Sequence, residues 1–332
     1  MLLWYAAVVL VVACLTPWAG PTALPWRQVW QEITGQAPMT EIGTIFLTQR
    51  LPRVLLALLA GGALGLAGAA FQVLLRNPLA TPYTLGVASA GALAAAVSLV
   101  WPVLAIAVGP FSTTQAAALA GGSLAALFIY VVARQTRGLS THVLLLAGVA
   151  LNLFCGAALL LVRFLADPYH LVAVDRWLMG GLVTVGYIEL LGMLPFVLVG
   201  GAMLLTQAHA LNQLAFGEEV AGSRGVRVPR LLTLTFAGSV LLTTGVVAVA
   251  GPIGFVGLIV PHVVRMLSGP DQRIVMPASA LLAGALLALC DAVARTCVAP
   301  TEIPVGVITA CLGAPVFLII LLRHVARHGP QG

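Results

Sequence analysis

Arg50-Leu51-Pro52-Arg53-Val54-Leu55-Leu56-Ala57-Leu58-Leu59-Ala60-Gly61-Gly62-Ala63-Leu64-Gly65-Leu66-Ala67-Gly68-Ala69-Ala70-Phe71-Gln72-Val73-Leu74-Leu75-Arg76 opens on two arginines and then carries no charge until the third. A helix of about 20 mainly apolar residues crosses the hydrocarbon core of a bilayer, and residues 51 to 75 reach that length. Gly61 and Gly65 stand four apart within a run of small residues, a spacing that lets a second helix approach closely. Working outward, apolar runs bounded by Arg, Pro and polar clusters recur at roughly 1 to 18, 83 to 108, 114 to 133, 143 to 165, 178 to 206, 229 to 250, 253 to 267, 276 to 298 and 304 to 322. The expected fold is therefore all-α, a polytopic membrane protein of about ten transmembrane helices in one domain over residues 1–332.

Composition agrees. The 332 residues are 61% hydrophobic and 8% charged, whereas a soluble domain averages roughly 45–50% and 25%. All 16 basic residues are Arg, and a chain without Lys lacks the side chain that reaches the β- and γ-phosphates in a Walker loop. It is thus no P-loop ATPase by itself, and Lys Schiff-base chemistry is excluded as well. The arginines are spread singly between apolar runs, so the net charge of +6 does not indicate nucleic acid. Cys14, Cys155, Cys290, Cys297 and Cys311 form no Cys-x-x-Cys pair and read as small hydrophobes. No metal site, cofactor site or catalytic cluster is legible.

If the ten spans alternate sides, Arg76, Arg134, Arg137, Arg224, Arg227, Arg230, Arg265, Arg273, Arg323 and Arg327 fall on one side. Arg27, Arg50, Arg53, Arg163, Arg176 and Arg295 fall on the other. The richer side is cytoplasmic by the positive-inside rule, and both termini then lie there. Between the first two spans, Trp26, Val29, Trp30 and Ile33 recur at helical spacing, as in a short amphipathic helix lying in the membrane interface.

Arg50-Leu51-Pro52-Arg53-Val54-Leu55 with Ala60-Gly61 recurs as Arg227-Val228-Pro229-Arg230-Leu231-Leu232 with Ala237-Gly238. Five spans separate the copies, an odd number, so the second begins on the opposite face. That pattern indicates an inverted internal repeat, about 50–206 and 227–322, preceded by an N-terminal helix, a design frequent in transporters. Ionisable residues inside the spans are few. Asp291 is placed to pair with Arg295 one turn on, and Asn152 sits deep in the fifth span, where it either lines a path or bonds a neighbouring helix.

Several segments in order carry a more specific signal: Arg50-Leu51-Pro52-Arg53; Gln72 with Arg76-Asn77-Pro78-Leu79-Ala80-Thr81-Pro82 and Leu85-Gly86; and Gly217-Glu218-Glu219-Val220-Ala221. Gly254-Phe255-Val256-Gly257-Leu258-Ile259-Val260-Pro261-His262 with Arg265, Asp271-Gln272-Arg273, Asp291 with Arg295, Glu302-Ile303-Pro304-Val305-Gly306-Val307 and Gly313-Ala314-Pro315-Val316-Phe317 complete it. Together they resemble the permease family of bacterial ABC importers for iron complexes and cobalamin, over nearly the whole chain. The resemblance implies a ten-helix subunit of the inner membrane that dimerises as a second permease copy joins it, with two ATPase subunits inside and one substrate-binding protein outside. By the same resemblance Arg50, Arg53 and Arg295 match the arginines that dock the binding protein. Gly217, Glu218, Glu219, Ala221 and Gly225 match the ATPase-coupling loop, and Asn152 is a pore-lining candidate. The chain departs from the family at Arg224, where Leu is usual, and at Gln272, where His is frequent.

The expectation is a permease that moves an iron complex, a ferric siderophore with haem or cobalamin as alternatives, and leaves ATP hydrolysis to its partners. The competing class is an ion-coupled secondary transporter of inverted-repeat design, which would share the hydropathy but need no ATPase.

Overall fold

A computed structural model describes residues 1–101, 111–135, 141–299 and 301–328. Arg137, the third span beyond residue 101 and the side chains of Arg323 and Arg327 lie outside the described residues. The described chain is all helical, with α1 at Leu2–Leu15, α2 at Trp26–Ile33, α3 at Glu41–Ile45, α4 at Leu51–Leu74 and α5 at Val87–Val100. It continues with α6 at Thr113–Arg134, α7 at Thr141–Leu165, α8 at Pro168–Leu178, α9 at Ile188–Leu205, α10 at Ala208–Leu214 and α11 at Glu218–Ser223. The last four are α12 at Val228–Ala250, α13 at Val256–Ser268, α14 at Gln272–Thr296 and α15 at Val305–His328.

Six of the described helices are long and apolar enough to cross a membrane, and four shorter apolar ones bring the number to the ten expected. The main difference lies in the sixth span. It was expected from about residue 178, but α8 is a separate short helix and α9 begins only at Ile188. Gly180 at φ 69° and Gly186 at φ 78° bracket the gap, in a backbone region that side chains with a Cβ avoid.

Helix α4 forms the centre of the bundle. Its small residues explain why, because lipid gives no hydrophobic drive between helices and close backbone contact must supply the attraction. A Cβ on Gly61 would fall 2.4 Å from the Ala283 carbonyl oxygen and one on Gly65 would fall 2.4 Å from that of Ser279, so α14 lies directly against this face. On the next face a Cβ on Gly68 would meet the Gly257 carbonyl oxygen at 1.8 Å, which seats α13 equally close. Helix α12 packs on α4 through Phe71 and Phe236, whose ring centroids are 6.3 Å apart.

Contacts fix the relative direction of these helices. Tyr5 Oη lies 2.7 Å from Ser268 Oγ, joining the start of α1 to the end of α13. The Thr16 and Ala19 carbonyls beyond the end of α1 accept from Arg295 near the end of α14. One face of the bundle thus collects the start of α1, the end of α13, the start of α14 and the α10–α11 segment. The opposite face collects the start of α4, the end of α14 and the segments 16–50 and 297–305.

Helix α2 lies on that second face with Val29 and Glu32 buried and Trp26, Trp30 and Ile33 exposed. The Glu32 carboxylate accepts from Thr40 N at 3.1 Å, Thr40 Oγ1 at 2.6 Å, Gly43 N at 2.9 Å and Gln28 Nε2 at 2.9 Å, closing the loop between α2 and α3. Those bonds, led by the Thr40 hydroxyl, hold its carboxyl below the ordinary glutamate value.

Candidate functional site

The α4–α14 pair carries a charged group at each end. At one end, Arg53 in the first turn of α4 reaches across to Asp291 of α14: Nη2 lies 2.9 Å from Oδ1, and Nε lies 3.0 and 3.1 Å from the two carboxylate oxygens. Its remaining Nη1 donates to Glu302 Oε2 at 2.7 Å. Arg295, one turn beyond Asp291, places Nε 3.0 Å from Oδ2 of the same carboxylate. Asp291 has no exposed side-chain surface, and Arg295 retains 2% and Arg53 12% of theirs. Charges taken out of water require acceptors placed as closely as these.

The segment after α1 completes this cluster. Arg295 donates through Nη1 to the Ala19 carbonyl at 3.1 Å and through Nη2 to that of Thr16 at 3.3 Å. Arg50 donates to the same Ala19 carbonyl and, at 3.2 Å, to Thr22. Arg50 is 6% exposed. The three arginines expected to dock a partner are therefore brought together, but two of them lie under residues 16–22 and donate to the carbonyls of that segment. Only Arg53 with Glu302 reaches the surface, at a cavity of about 510 Å³ that Gln115, Arg176 and Trp177 also line.

At the other end, α10 and α11 form a short double helix. Gly217, at φ 112°, precedes α11, and Gly225, at φ 82°, follows it; both positions need the conformational freedom of glycine. Glu218 and Glu219 occupy the first turn of α11, where the helix dipole favours negative charge. Ala221 is fully buried, while Arg224, Arg227 and Arg230 are exposed. Arg76, just past α4, places Nη2 2.9 Å from Glu218 Oε1. Asn212 of α10 donates from Nδ2 to Asp271 Oδ1 at 2.7 Å and accepts on Oδ1 from the Gln272 backbone N–H at 2.7 Å. Bonds from the Arg273 guanidinium and from Asn212 hold the Asp271 carboxyl well below the usual carboxylate range.

Asn152 is half-buried in α7, and its Nδ2 donates to the carbonyls of Tyr83 at 3.3 Å and Thr84 at 3.1 Å, while its Oδ1 lies 2.6 Å from Ser89 Oγ. Of the two roles the sequence left open, the structure shows the bond to a neighbouring segment. The turn it holds, Pro82–Leu85, also accepts the Ile253 N–H on Tyr83 Oη at 3.0 Å. Among the described residues no group of three or more His, Cys, Asp or Glu is placed to hold a metal ion.

Sequence reasoning did not find Glu302 as the second partner of Arg53, nor Asn212, nor the carbonyls of residues 16–22. Glu302 stood in a quoted motif, but its partner is 249 positions away and no periodicity links the two. An amide such as Asn212 in a polar loop gives no signal at all.

Comparison with known proteins adds the remaining observation. A model of the FecCD transport family matches residues 7–323. The chain is 37% identical over 325 residues to the hemin transport system permease protein HmuU of Yersinia pestis, covering 98% of this chain and 96% of that one. It is 41% identical over 288 residues to the cobalamin import system permease protein BtuC of Halobacterium salinarum, covering 86% and 74%. A solved ABC transporter of the metal-chelate type, in an inward-facing conformation, superposes with a TM-score of 0.81 at 28% identity over 97% of this chain and 98% of that one.

Proposed function

The chain belongs to the FecCD transport family, and from that premise we propose that it passes an iron complex, foremost a ferric siderophore, across the inner membrane, with haem and cobalamin as the alternative cargoes. At the level of class it is a multi-pass ABC importer permease for metal chelates, a subunit that transports and is not itself an enzyme. Such permeases work with an ATPase and a binding protein; we assign the ATPase to separate subunits, two per complex, and assign a second copy of this chain as the dimer partner.

The observation that carries this reading is the tie between the α10–α11 segment and the ends of α4 and α14, through Arg76–Glu218 and Asn212–Asp271. A force applied to that short double helix by a moving partner is delivered to the two most central helices of the bundle as rigid-body displacement. We assign this face to the cytoplasm, in line with its arginines, and Gly217, Glu218, Glu219, Ala221 and Gly225 to the ATPase contact. An ion-coupled carrier would have no use for such a loop and would need a buried ion path, for which the spans offer few ionisable groups.

On the outer face, Arg50, Arg53, Arg295, Asp291 and Glu302 sum to one net positive charge, which suits an acidic docking partner and would speed its encounter. In this reading Arg50 and Arg295 act by holding residues 16–22 as part of the docking rim, and Arg53 acts at the surface. Two guanidinium groups against one carboxylate line the outer cavity, and this favours a chelate of negative charge. Asn152 is assigned to the path through its hold on the Tyr83 turn. Exposed Leu146, Val149, Leu153, Phe154 and Leu160 on α7 give a second copy an apolar face to cover.

The two-repeat organisation is supported by the matching units α4–break–α5 and α12–break–α13. Each opens on Arg-x-Pro-Arg and leads into a short helix, of 14 residues in α5 and 13 in α13. The test is uptake in proteoliposomes. With the ATPase, the binding protein and ATP present, radioactive ferric siderophore should accumulate; accumulation driven by a proton or sodium gradient without the ATPase would overturn the assignment.

A further inference from the structure

We propose that Asn212 and Asp271 form a latch that transmits movement of the ATPase contact into α14, making Asn212 a positioning residue for transport; this rests on the assignment of α10–α11 to the ATPase. A side-chain amide pairs a donating nitrogen with an accepting oxygen, and Asn212 uses both on the same end of the same helix. Its Nδ2 donates to the Asp271 carboxylate and its Oδ1 accepts the first N–H of α14, each at 2.7 Å. Asp271 caps that helix, its Oδ1 accepting the Arg273 N–H at 3.0 Å. The latch thus grips the helix at its cap, where two bonds fix both position and direction.

What the latch would move is defined by packing. Ala283 and Ser279 of α14 are set against Gly61 and Gly65 of α4 so closely that no side chain fits between them. The far end of α14 carries Asp291 and Arg295, which hold Arg53 and the carbonyls of Thr16 and Ala19. Helix α14 has 25 residues, about 37 Å at 1.5 Å per residue, and therefore spans the membrane as one rod. A displacement at Asn212 arrives at the outer ion cluster through this rod, and binding-protein docking at the cluster is felt at the ATPase by the same route. Such reciprocity is what coupling between two sites requires.

The Arg76–Glu218 pair cannot replace it. Both partners are about half exposed, and a solvated ion pair in that setting adds little. The bond from Asn212 to a carboxylate held in its charged form is of the stronger, charge-assisted kind.

The test uses the full chain in proteoliposomes with its ATPase and binding protein, and reads ATPase copurification and substrate taken up per ATP hydrolysed. Asn212→Asp sets two carboxylates against each other at the latch. The swap Asn212→Asp with Asp271→Asn restores one donor facing one acceptor and keeps an acceptor for the Gln272 N–H; because Asp271 Oδ1 carries both the latch and the cap bond, the cap passes to the one oxygen that residue 271 retains. The single variant should retain the ATPase and lose about tenfold in uptake per ATP, the scale of one hydrogen bond to a charged group, and the swap should return it to within about twofold of the original chain. An unchanged single variant, a swap as poor as the single variant, or a loss that follows dissociation of the ATPase overturns the latch. Absence of ATP-driven uptake by the unsubstituted chain overturns the transport reading instead, so the two failures are distinct.

Discussion

Replacing Asp291 by Asn tests whether the Arg53–Asp291–Arg295 cluster holds the two central helices together. The side chain keeps its shape, but one carboxylate oxygen becomes an amide that points donors at two guanidinium groups. With the amide nitrogen at the Oδ2 position, Nε of Arg53 and Nε of Arg295 lose their contacts at 3.1 and 3.0 Å; Arg53 keeps Oδ1 and Glu302, and Arg295 falls back on the main-chain carbonyls of Asp291, Thr16 and Ala19. Breaking a buried pair costs about 3–5 kcal/mol, because the partner charge stays buried. The fallback acceptors place this case at the lower end, about 3 kcal/mol. At about 2–4 °C per kcal/mol for a large domain, the thermal midpoint of the detergent-solubilised protein should fall by about 6–12 °C at fixed scan rate. Replacing the buried set, Asp291→Leu with Arg53→Met and Arg295→Met, should recover part of that loss, since apolar side chains of similar volume leave no buried charge unpaired and the partly exposed Glu302 is left to solvent. A shift under about 2 °C for Asp291→Asn would rank the cluster with solvated surface pairs and refute its role as a tie.

Gly68→Ala should be costly for a change of one methyl group. The new Cβ would stand 1.8 Å from the Gly257 carbonyl oxygen, α13 would have to retreat, and the overpacking penalty of about 1–3 kcal/mol should appear as a lower midpoint and reduced monodisperse yield. For Glu32 the sign follows from its lowered carboxyl pKa: the hydrogen-bonded carboxylate stabilises the α2–α3 loop above the ordinary value of 4.5 and ceases to do so as pH falls through the lower folded value. Pepsin cleavage within residues 34–40 should accelerate as the pH is taken down from 4.5, whereas Glu32→Gln should be cleaved rapidly across the range; equal rates for the two proteins would show that the carboxylate does not hold the loop.

The membrane fold was legible because its determinants are local in sequence. Charge-free runs bounded by arginines set the ten apolar helices, and the small residues from Gly61 to Gly68 mark the helix that others approach most closely. The start of the sixth span was misplaced because Val183 and Val185 continue the hydropathy through a segment that Gly180 and Gly186 take out of helix. Arg50, Arg53 and Arg295 were legible as a group and not in their burial. Burial depends on residues 16–22 folding back over Arg50 and Arg295, and on a carbonyl, Ala19, that any residue type would supply. Asn212 was invisible for the same reason: a tie between a loop helix and a distant helix cap is a tertiary fact with no periodic trace.

The two interruptions after α4 and α12 share more than their glycines and prolines. Each holds a residue other than glycine in the left-handed region, Arg76 at φ 48° and Phe255 at φ 68°, a conformation that costs such residues about 1–3 kcal/mol unless the surroundings impose it. The interruptions also touch, through the Ile253 N–H and Tyr83 Oη, beside a cavity of about 170 Å³. Their depth follows from Asn152, which binds the same turn from a point eleven residues into α7, or about 17 Å along a helix. That is near the middle of a ~30 Å core. Backbone that leaves helical geometry at this depth must be satisfied by protein, and here the Asn152 amide and the Tyr83 hydroxyl do so. Helices α5 and α13 are too short to span the core alone, and the interruptions supply the missing length. The chain therefore re-enters the bundle after α4 and after α12 by non-helical backbone, and the Tyr83 hydroxyl ties the two re-entrant segments to each other.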